Sequence, residues 1–211
     1  MIMIMIMIMI MIMKMIMKMN NLYINYLNIF KKKLIVNIIM EESHSNNSTM
    51  QQHPLNDEWS FWAHLPHDTD WSLNSYKNIY TCKTVEDIVT MYETIPSHMI
   101  TKCMLFIMRK GITPLWEDPK NRNGGCFSYK VANKNVIECW KTLSYLLIGE
   151  NLSSNSKLQE TINGITISPK TNFCVIKIWM NNCNYQDASK ISSLCGLNSH
   201  GCLFKKHAPE Y

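Results

Sequence analysis

Seven short segments rich in apolar, β-branched and aromatic residues predict β-strands. The predicted strands cover residues 59–65, 79–83, 103–109, 127–132, 164–167, 174–179 and 202–205. In the strand 174–179, Val175, Lys177 and Trp179 share one face and Ile176 and Ile178 share the other, because successive side chains point to opposite sides.

Helical spacing of apolar residues appears in three further segments. Thr84 and Asp87 form a capping-box pattern, which predicts the start of a first helix. The apolar positions that follow it at helical spacing are Val85, Ile88, Val89 and Tyr92. A second helix is predicted from an Asn135 cap to Gly149, and a third over residues 184–195. Strands interleaved with a few helices, without a regular βαβ order, predict an α+β fold with an antiparallel sheet.

Residues 1–52 lack this pattern. The first thirteen residues alternate Met and Ile, so a strand there would have no solvated face. The run is shorter than the roughly 20 residues of a membrane span, and we interpret it as a translated simple repeat, with Met19, Met40 and Met50 as candidate later starts. Residues 22–40 suggest a weak membrane anchor, but three consecutive lysines at 31–33 argue against it. Residues 41–52 predict a disordered linker, so the folded domain is expected over 53–211.

The composition fits a single domain with tails. The chain has 211 residues, of which 46% are hydrophobic, and its net charge of +5 permits a phosphate-bearing partner without requiring one. Its eight cysteines show neither a CxxC pair nor the spacing of a zinc module. The cysteine pattern predicts free thiols, no metal site and a cytoplasmic protein. We also expect the protein to be monomeric and not associated with a membrane.

The sequence contains none of four common catalytic or nucleotide-binding motifs, GxGxxG, GxxxxGK[ST], GxSxG and HExxH. The six tryptophans are more informative. Trp62 and Trp140 are predicted to pack in the core, but Trp71 and Trp116 lie in polar loops without periodic apolar partners. Because a large aromatic side chain on a loop usually contacts a ligand, these two residues predict binding rather than catalysis.

Four blocks of residues carry a family resemblance. They are His53-Pro54-Leu55 with Trp59 and Trp62; Thr84-Val85-Glu86-Asp87; Trp116-Glu117-Asp118-Pro119-Lys120-Asn121 with Gly124-Gly125; and Ile148-Gly149-Glu150. In this order they resemble the eukaryotic translation initiation factor 4E family of cap-binding proteins, from about residue 53 to the C-terminus. The resemblance implies a strongly curved antiparallel sheet with about three helices on its convex face and the ligand on its concave side.

The resemblance also implies a site for the cap base, without a cofactor. A guanine methylated at N7 is a cation, and Trp71 and Trp116 would hold it by stacking and cation–π attraction. Glu117 would accept the N1–H and N2–H₂ donors of the guanine edge, and Trp179 would touch the methyl group.

The phosphate contacts depart from the family pattern. One family Arg falls on Cys126 and a second on Lys170, which keeps the charge but loses the bidentate fork. Lys177 is expected to compensate because it shares the face of Trp179, and Arg122 is a weaker third candidate. The sequence therefore predicts a phosphate site built from Lys170, Lys177 and Arg122.

The surface that binds a partner helix in the family also differs from the family pattern in this chain. In the family, a Val and a Trp on the first helix hold an amphipathic helix of a scaffold or repressor protein. Val85 is present, but Val89 replaces the Trp, and Lys141 and Thr142 replace a Leu and a Glu. Losing a Trp hot spot typically costs about 2 kcal/mol or more, so scaffold binding through the surface that includes His53, Pro54 and Leu55 is in doubt.

The leading hypothesis is a protein that binds capped mRNA and recruits it for translation. The alternatives are a repressor or decoy that binds caps without the scaffold, and a general single-stranded RNA binder. An enzyme acting on caps would need a carboxylate cluster or a glycine-rich cofactor loop, and the sequence offers neither.

Overall fold

A computed structural model describes residues 52–193 and 196–210. One antiparallel sheet has the strand order β2-β1-β3-β5-β6-β4-β7. Its strands are β1 Pro54–His64, β2 Tyr76–Thr84, β3 Met104–Arg109, β4 Gly125–Ala132, β5 Ile162–Pro169, β6 Phe173–Met180 and β7 Leu203–Lys206. All seven predicted strands are confirmed with shifted ends, and so is the α+β class with a curved sheet. The repeat, anchor and linker predictions lie almost wholly outside the described residues.

The two faces of the sheet are covered differently. The convex face carries a cross-strand row of apolar side chains that belong to the main core: Phe61, Ile107, Ile165, Ile178, Phe127 and Phe204. Burial of each large apolar side chain contributes about 1.5–3 kcal/mol, so this face holds the domain together. The adjacent row points to the concave face and is mixed in character: Trp62, Phe106, Thr166, Lys177, Ser128 and Leu203. The concave face is therefore available for a ligand.

Helix α1, Val85–Thr94, begins at the predicted capping box. The Oγ1 of Thr84 accepts the N–H of Asp87 at 3.2 Å, and Oδ2 of Asp87 accepts the N–H of Thr84 at 3.0 Å. Ile88 and Met91 are buried against the sheet, so the amphipathic pattern orients the helix as expected.

Helix α3, Val136–Ile148, also lies on the convex face and buries Trp140, as predicted. Both predicted boundaries are confirmed, with Asn135 and Gly149 at the two cap positions, but neither residue caps the helix in the predicted way. Asn135 makes no side-chain cap, because it is the last residue of a 3-10 turn. Gly149 has a φ of −78°, and the left-handed residue is Glu150, with a φ of 54°. The Oε1 of Glu150 accepts Nη1–H of Arg109 at 2.8 Å, a contact that helps to hold this turn.

The predicted third helix over 184–195 is wrong. Its described part contains only the 3-10 turn Ala188–Lys190, in which Asp187 accepts the N–H of Ser189. Asx side chains that bond the local backbone compete with a helix, and the segment has few apolar anchors. Two short helices were not predicted: α2 Ser97–Lys102 and α4 Ser156–Gln159. They are too short to show the helical spacing of apolar residues.

Seven cysteines fall among residues that can be described, and all seven are free, as expected. Burial raises the pKa of Cys103 to about 12, which keeps that thiol protonated and unreactive. Within the described ranges, no helix is both long and apolar enough to cross a membrane.

Candidate functional site

The loop of residues 110–124, between β3 and β4, is organised by two short polar side chains. Oδ2 of Asp118 accepts the backbone N–H of Thr113 at 2.8 Å and its hydroxyl at 2.7 Å. Asn121 is fully buried, and its Nδ2 donates to the carbonyl of Thr113 at 2.9 Å. These bonds give the segment that carries Trp116 a fixed path over the sheet, so Asp118 and Asn121 have structural roles in the motif.

Trp116 is half-buried and stacks on His207, with ring centroids 5.7 Å apart and an interplanar angle of 14°. His207 follows β7, and its Nδ1–H donates to the carbonyl of Asn121 at 2.7 Å. Burial lowers the pKa of His207, and the charge of Lys177 acts in the same direction. The imidazole is therefore neutral at pH 7, and its buried Nε2 has no hydrogen-bond partner among the described residues.

Trp71 lies in the loop between β1 and β2, and its side chain is 57% exposed. Its ring stacks on His64 with centroids 4.3 Å apart and planes 5° from parallel. His64 is buried and donates from Nε2 to the carbonyl of Asp70 at 2.9 Å. Asp70 in turn accepts the N–H and the hydroxyl of Ser72. Trp71 is thus held in position although one side of it faces solvent.

A continuous chain of ring contacts crosses the concave face between these two loops. Its members in order are Trp71, His64, Tyr76, Phe106, Trp179, His207 and Trp116. Successive centroids are 4.3–6.4 Å apart. The two loop tryptophans therefore stand at opposite ends of an aromatic floor, which offers stacking surfaces to a planar cationic ligand.

Trp179 lies on β6 within this floor. Its ring is buried, and Nε1–H donates to Oγ1 of Thr166 on β5 at 2.6 Å, which fixes its orientation. The prediction that Trp62 packs in the core is wrong. It is half-buried and packs on the concave side beside its cross-strand partner Phe106, because Phe61 takes the core side of β1. Trp62 therefore packs against a second apolar cluster, made of Phe106, Met108, Ile112 and Trp179, and not in the main core.

Glu117 is half-buried beside Trp116. Its Oε1 accepts the backbone N–H of Glu210 at 3.2 Å, so the C-terminal segment supplies a donor to this carboxylate. The carboxylate is therefore placed to accept hydrogen bonds from N–H donors beside Trp116.

The three predicted phosphate residues lie apart from one another, one on β6 and two in turns. Lys177 faces the site as expected, with Nζ 5.6 Å from the centre of the Trp116 ring. Lys170 is exposed in the β5–β6 turn, beyond Phe173 and at the opposite end of β6 from Trp179. Arg122 is exposed in the turn before β4. The structure thus brings Lys177, but not Lys170, close to the aromatic floor.

His53 fastens the start of β1 to helix α1 on the far side of the domain. Its Nδ1 lies 2.7 Å from Oε1 of Glu86, and its carbonyl accepts the N–H of Val85 at 2.9 Å. Next to it, Pro54 is exposed and Leu55 packs partly against the main core. These contacts give the His53-Pro54-Leu55 block a structural role beside the predicted partner surface.

An apolar strip crosses the convex side over α1 and α3. Val85 and Val89 are 46% and 45% exposed on α1, and Ile137 and Tyr145 are 39% and 41% exposed on α3. The helices meet where Tyr92 packs edge-on against Tyr145, with centroids 5.4 Å apart. Lys141 is exposed beside this strip and Thr142 is half-buried. The strip is a shallow apolar surface without a tryptophan.

The family model for eukaryotic initiation factor 4E matches residues 54–203, so the chain belongs to that family. Eukaryotic translation initiation factor 4E-2 of Schizosaccharomyces pombe is 34% identical over 144 residues, which cover 65% of this chain and 58% of the relative. The initiation factor 4E homolog of Acanthamoeba polyphaga mimivirus is 47% identical over 62 residues, covering 29% of this chain and 23% of that protein. The chain thus spans less than two thirds of the length of either relative.

Solved structures agree with this assignment. The schistosome initiation factor 4E complexed with m7GpppG and 4E-BP has a TM-score of 0.57 and 28% identity, covering 63% of this chain and 74% of that one. The family membership predicted from the four sequence blocks is confirmed.

Residues of the concave side that sequence reasoning missed include His64, Tyr76, Phe106, Thr166, Lys205 and His207. A signal was present for two of them. His64 stands two positions after Trp62, and His207 two positions after Lys205, so strand alternation continued past each strand end would place each pair on one face. Thr166 and Lys205 depend on pairing between distant strands.

Proposed function

We propose that this protein binds the N7-methylguanosine cap of mRNA in the cytoplasm and recruits capped mRNA to translation initiation. The observation that carries the proposal is the aromatic floor that ends at Trp71 on one side and at Trp116 and Glu117 on the other. Family membership and the cap-bound schistosome neighbour support it. The protein acts by binding, not by catalysis.

The mode of binding follows from the chemistry of the ligand. The methylated base carries a delocalised positive charge, so an indole face attracts it by stacking and by cation–π interaction, together about 1–3 kcal/mol per base. The carboxylate of Glu117 accepts the two donors of the guanine edge, replacing the Glu210 N–H. Trp179 and the neutral ring of His207 line the floor without adding a positive charge beside the cationic base.

A helix from a scaffold or repressor protein is the proposed partner of the apolar strip on α1 and α3. The schistosome neighbour was solved with 4E-BP, which supports a partner of this class. The missing tryptophan at Val89 predicts weak binding there. The decoy and general RNA-binder alternatives gain no support from the comparisons.

Retention on immobilised 7-methyl-GTP, challenged with free GTP or free 7-methyl-GTP, tests the proposal. We expect release by the methylated nucleotide and little release by GTP. Trp71→Ala, Trp116→Ala and Glu117→Ala should each abolish retention, while Glu138→Ala, an exposed carboxylate on α3, should not. Equal release by both nucleotides would exclude specific recognition of the methylated base.

A further inference from the structure

Two lysines on the concave side of the sheet converge on Trp116. Nζ of Lys177 on β6 is 5.6 Å from the centre of the indole ring, and Nζ of Lys205 on β7 is 6.0 Å from it. Neither lysine forms a salt bridge with any carboxylate in the described part of the chain. The two ammonium groups thus lie at this end of the aromatic floor without a direct ion-pair partner among the described residues.

The strand register explains how Lys205 reaches this position. Cys126 on β4 pairs with Trp179 on one side and with Lys205 on the other, so these three residues form one row across the sheet. Residues directly opposite each other on neighbouring strands point to the same face. Cys126 is buried and has a short, uncharged side chain. The positive charge of this row therefore comes from β7 instead of β4.

We propose that Lys177 and Lys205 bind the phosphate chain of the capped ligand, with Lys205 supplying the charge that Cys126 lacks. This inference rests on the proposed cap-binding function. A phosphate chain is separated from its base by one ribose, so cations beside the stacking ring are within its reach. Two ammonium groups suit it, because lysine binds phosphate as a mobile point charge with three donors.

The positions of two other lysines, Lys170 and Lys206, support the assignment of the phosphate contacts to Lys177 and Lys205. Lys170 lies beyond the first residue of β6, and six residues of strand separate Phe173 from Trp179, a distance of about 20 Å. Lys206 is the neighbour of Lys205 on β7 and pairs with Gly125, so its side chain points to the opposite face. Lys206 is exposed like Lys205, which makes it a matched control for charge on the same strand.

The test is a titration of the full chain with 7-methyl-GMP and 7-methyl-GTP at low salt. Lys205→Ala should lower affinity for 7-methyl-GTP by about fivefold, as expected for one partly exposed charge pair, and leave 7-methyl-GMP within about twofold. Lys177→Ala should act in the same direction, and Lys206→Ala should change neither affinity. Lys205→Arg should keep the preference for the longer phosphate chain.

Two outcomes would overturn the inference, and they differ from each other. If the unmodified protein binds 7-methyl-GTP but Lys205→Ala behaves like Lys206→Ala, the phosphate role of Lys205 is wrong and cap binding stands. If the unmodified protein binds neither methylated nucleotide, the proposed function itself fails and this inference fails with it.

Discussion

The imidazole of His64 lies flat against the indole of Trp71, with centroids 4.3 Å apart and planes 5° from parallel. One face of the exposed Trp71 ring is therefore packed against the buried ring of His64. We expect His64→Ala to weaken binding of 7-methyl-GTP by about fivefold, because an exposed Trp71 without support loses more side-chain entropy on binding. Fluorescence titration measures the change.

A conservative variant separates stacking from hydrogen bonding at this position. His64→Phe keeps a ring against Trp71 but loses the Nε2–H bond to the carbonyl of Asp70. It should retain most of the affinity that His64→Ala loses. If His64→Ala binds as tightly as the unmodified protein while remaining folded, the support of Trp71 by His64 is irrelevant to binding.

His207 predicts a pH dependence of stability. Burial holds its folded-state pKa below the ordinary value near 6.5, so as the pH falls the unfolded chain takes up this proton first. The stabilising contribution is complete above pH 6.5 and decreases as the pH falls toward the folded-state pKa. Urea unfolding at pH 7, 6 and 5 should show a decrease that is smaller in His207→Phe.

The comparison requires that His207→Phe keeps its ring on Trp116, which a near-unchanged affinity for 7-methyl-GTP at pH 7 would demonstrate. An identical loss of stability in both proteins between pH 7 and pH 5 would mean that His207 does not titrate in this window.

Arg109 is predicted to be a stabilising residue. Its Nη1 contacts Asp57 at 2.6 Å and Glu150 at 2.8 Å, and its guanidinium lies 4.7 Å from the Trp59 ring centroid. Arg109→Met should lower the free energy of unfolding by about 2 kcal/mol, because both carboxylates lose a charged partner. Chemical denaturation measures this difference.

Lys110 provides the control for Arg109. It forms an ion pair with Glu58 at 2.8 Å, but its side chain is 56% exposed. Lys110→Ala should change stability by about 0.5 kcal/mol or less. Equal effects at the two positions would show that the partly buried network around Arg109 adds nothing beyond a surface ion pair.

Val89 allows a gain-of-function prediction on the convex side. The apolar strip on α1 and α3 lacks the tryptophan that the family uses, so Val89→Trp should strengthen binding of a YxxxxLΦ peptide. A tryptophan hot spot contributes about 2 kcal/mol or more, which corresponds to a roughly 30-fold gain in affinity. Isothermal titration with the peptide measures it.

Val136→Trp is unsuitable as a control, because Val136 is fully buried, whereas Lys206→Trp adds an exposed indole on β7, at the opposite edge of the sheet from β2. That variant should leave peptide affinity unchanged. Tight peptide binding by the unmodified protein would show instead that Val85, Val89 and Tyr145 suffice without a tryptophan.

Local patterns predicted the strands well, because short runs of apolar, β-branched and aromatic residues favour a buried sheet. They also placed Lys177 on the face of Trp179, a relationship within one strand. The predicted helix over 184–195 failed because Asp187 and its polar neighbours form turns, and spacing alone does not reveal that competition.

Contacts between distant segments were beyond the reach of local patterns. Lys205 reaches the site through the pairing of β4 with β7, and His207 reaches Trp116 only because the C-terminal segment returns to the loop after β3. Trp62 was misassigned for the same reason, since both faces of β1 carry aromatic residues and only the neighbouring strands distinguish them.

The central claim is that the site that ends at Trp71 on one side and at Trp116 and Glu117 on the other selects a guanine that carries a positive charge. Its most direct test is the ratio of affinities of the unmodified protein for 7-methyl-GTP and GTP, measured by tryptophan fluorescence. A desolvated cation–π contact of about 2 kcal/mol predicts roughly 30-fold tighter binding of the methylated nucleotide. Equal affinities for the two nucleotides would contradict the claim.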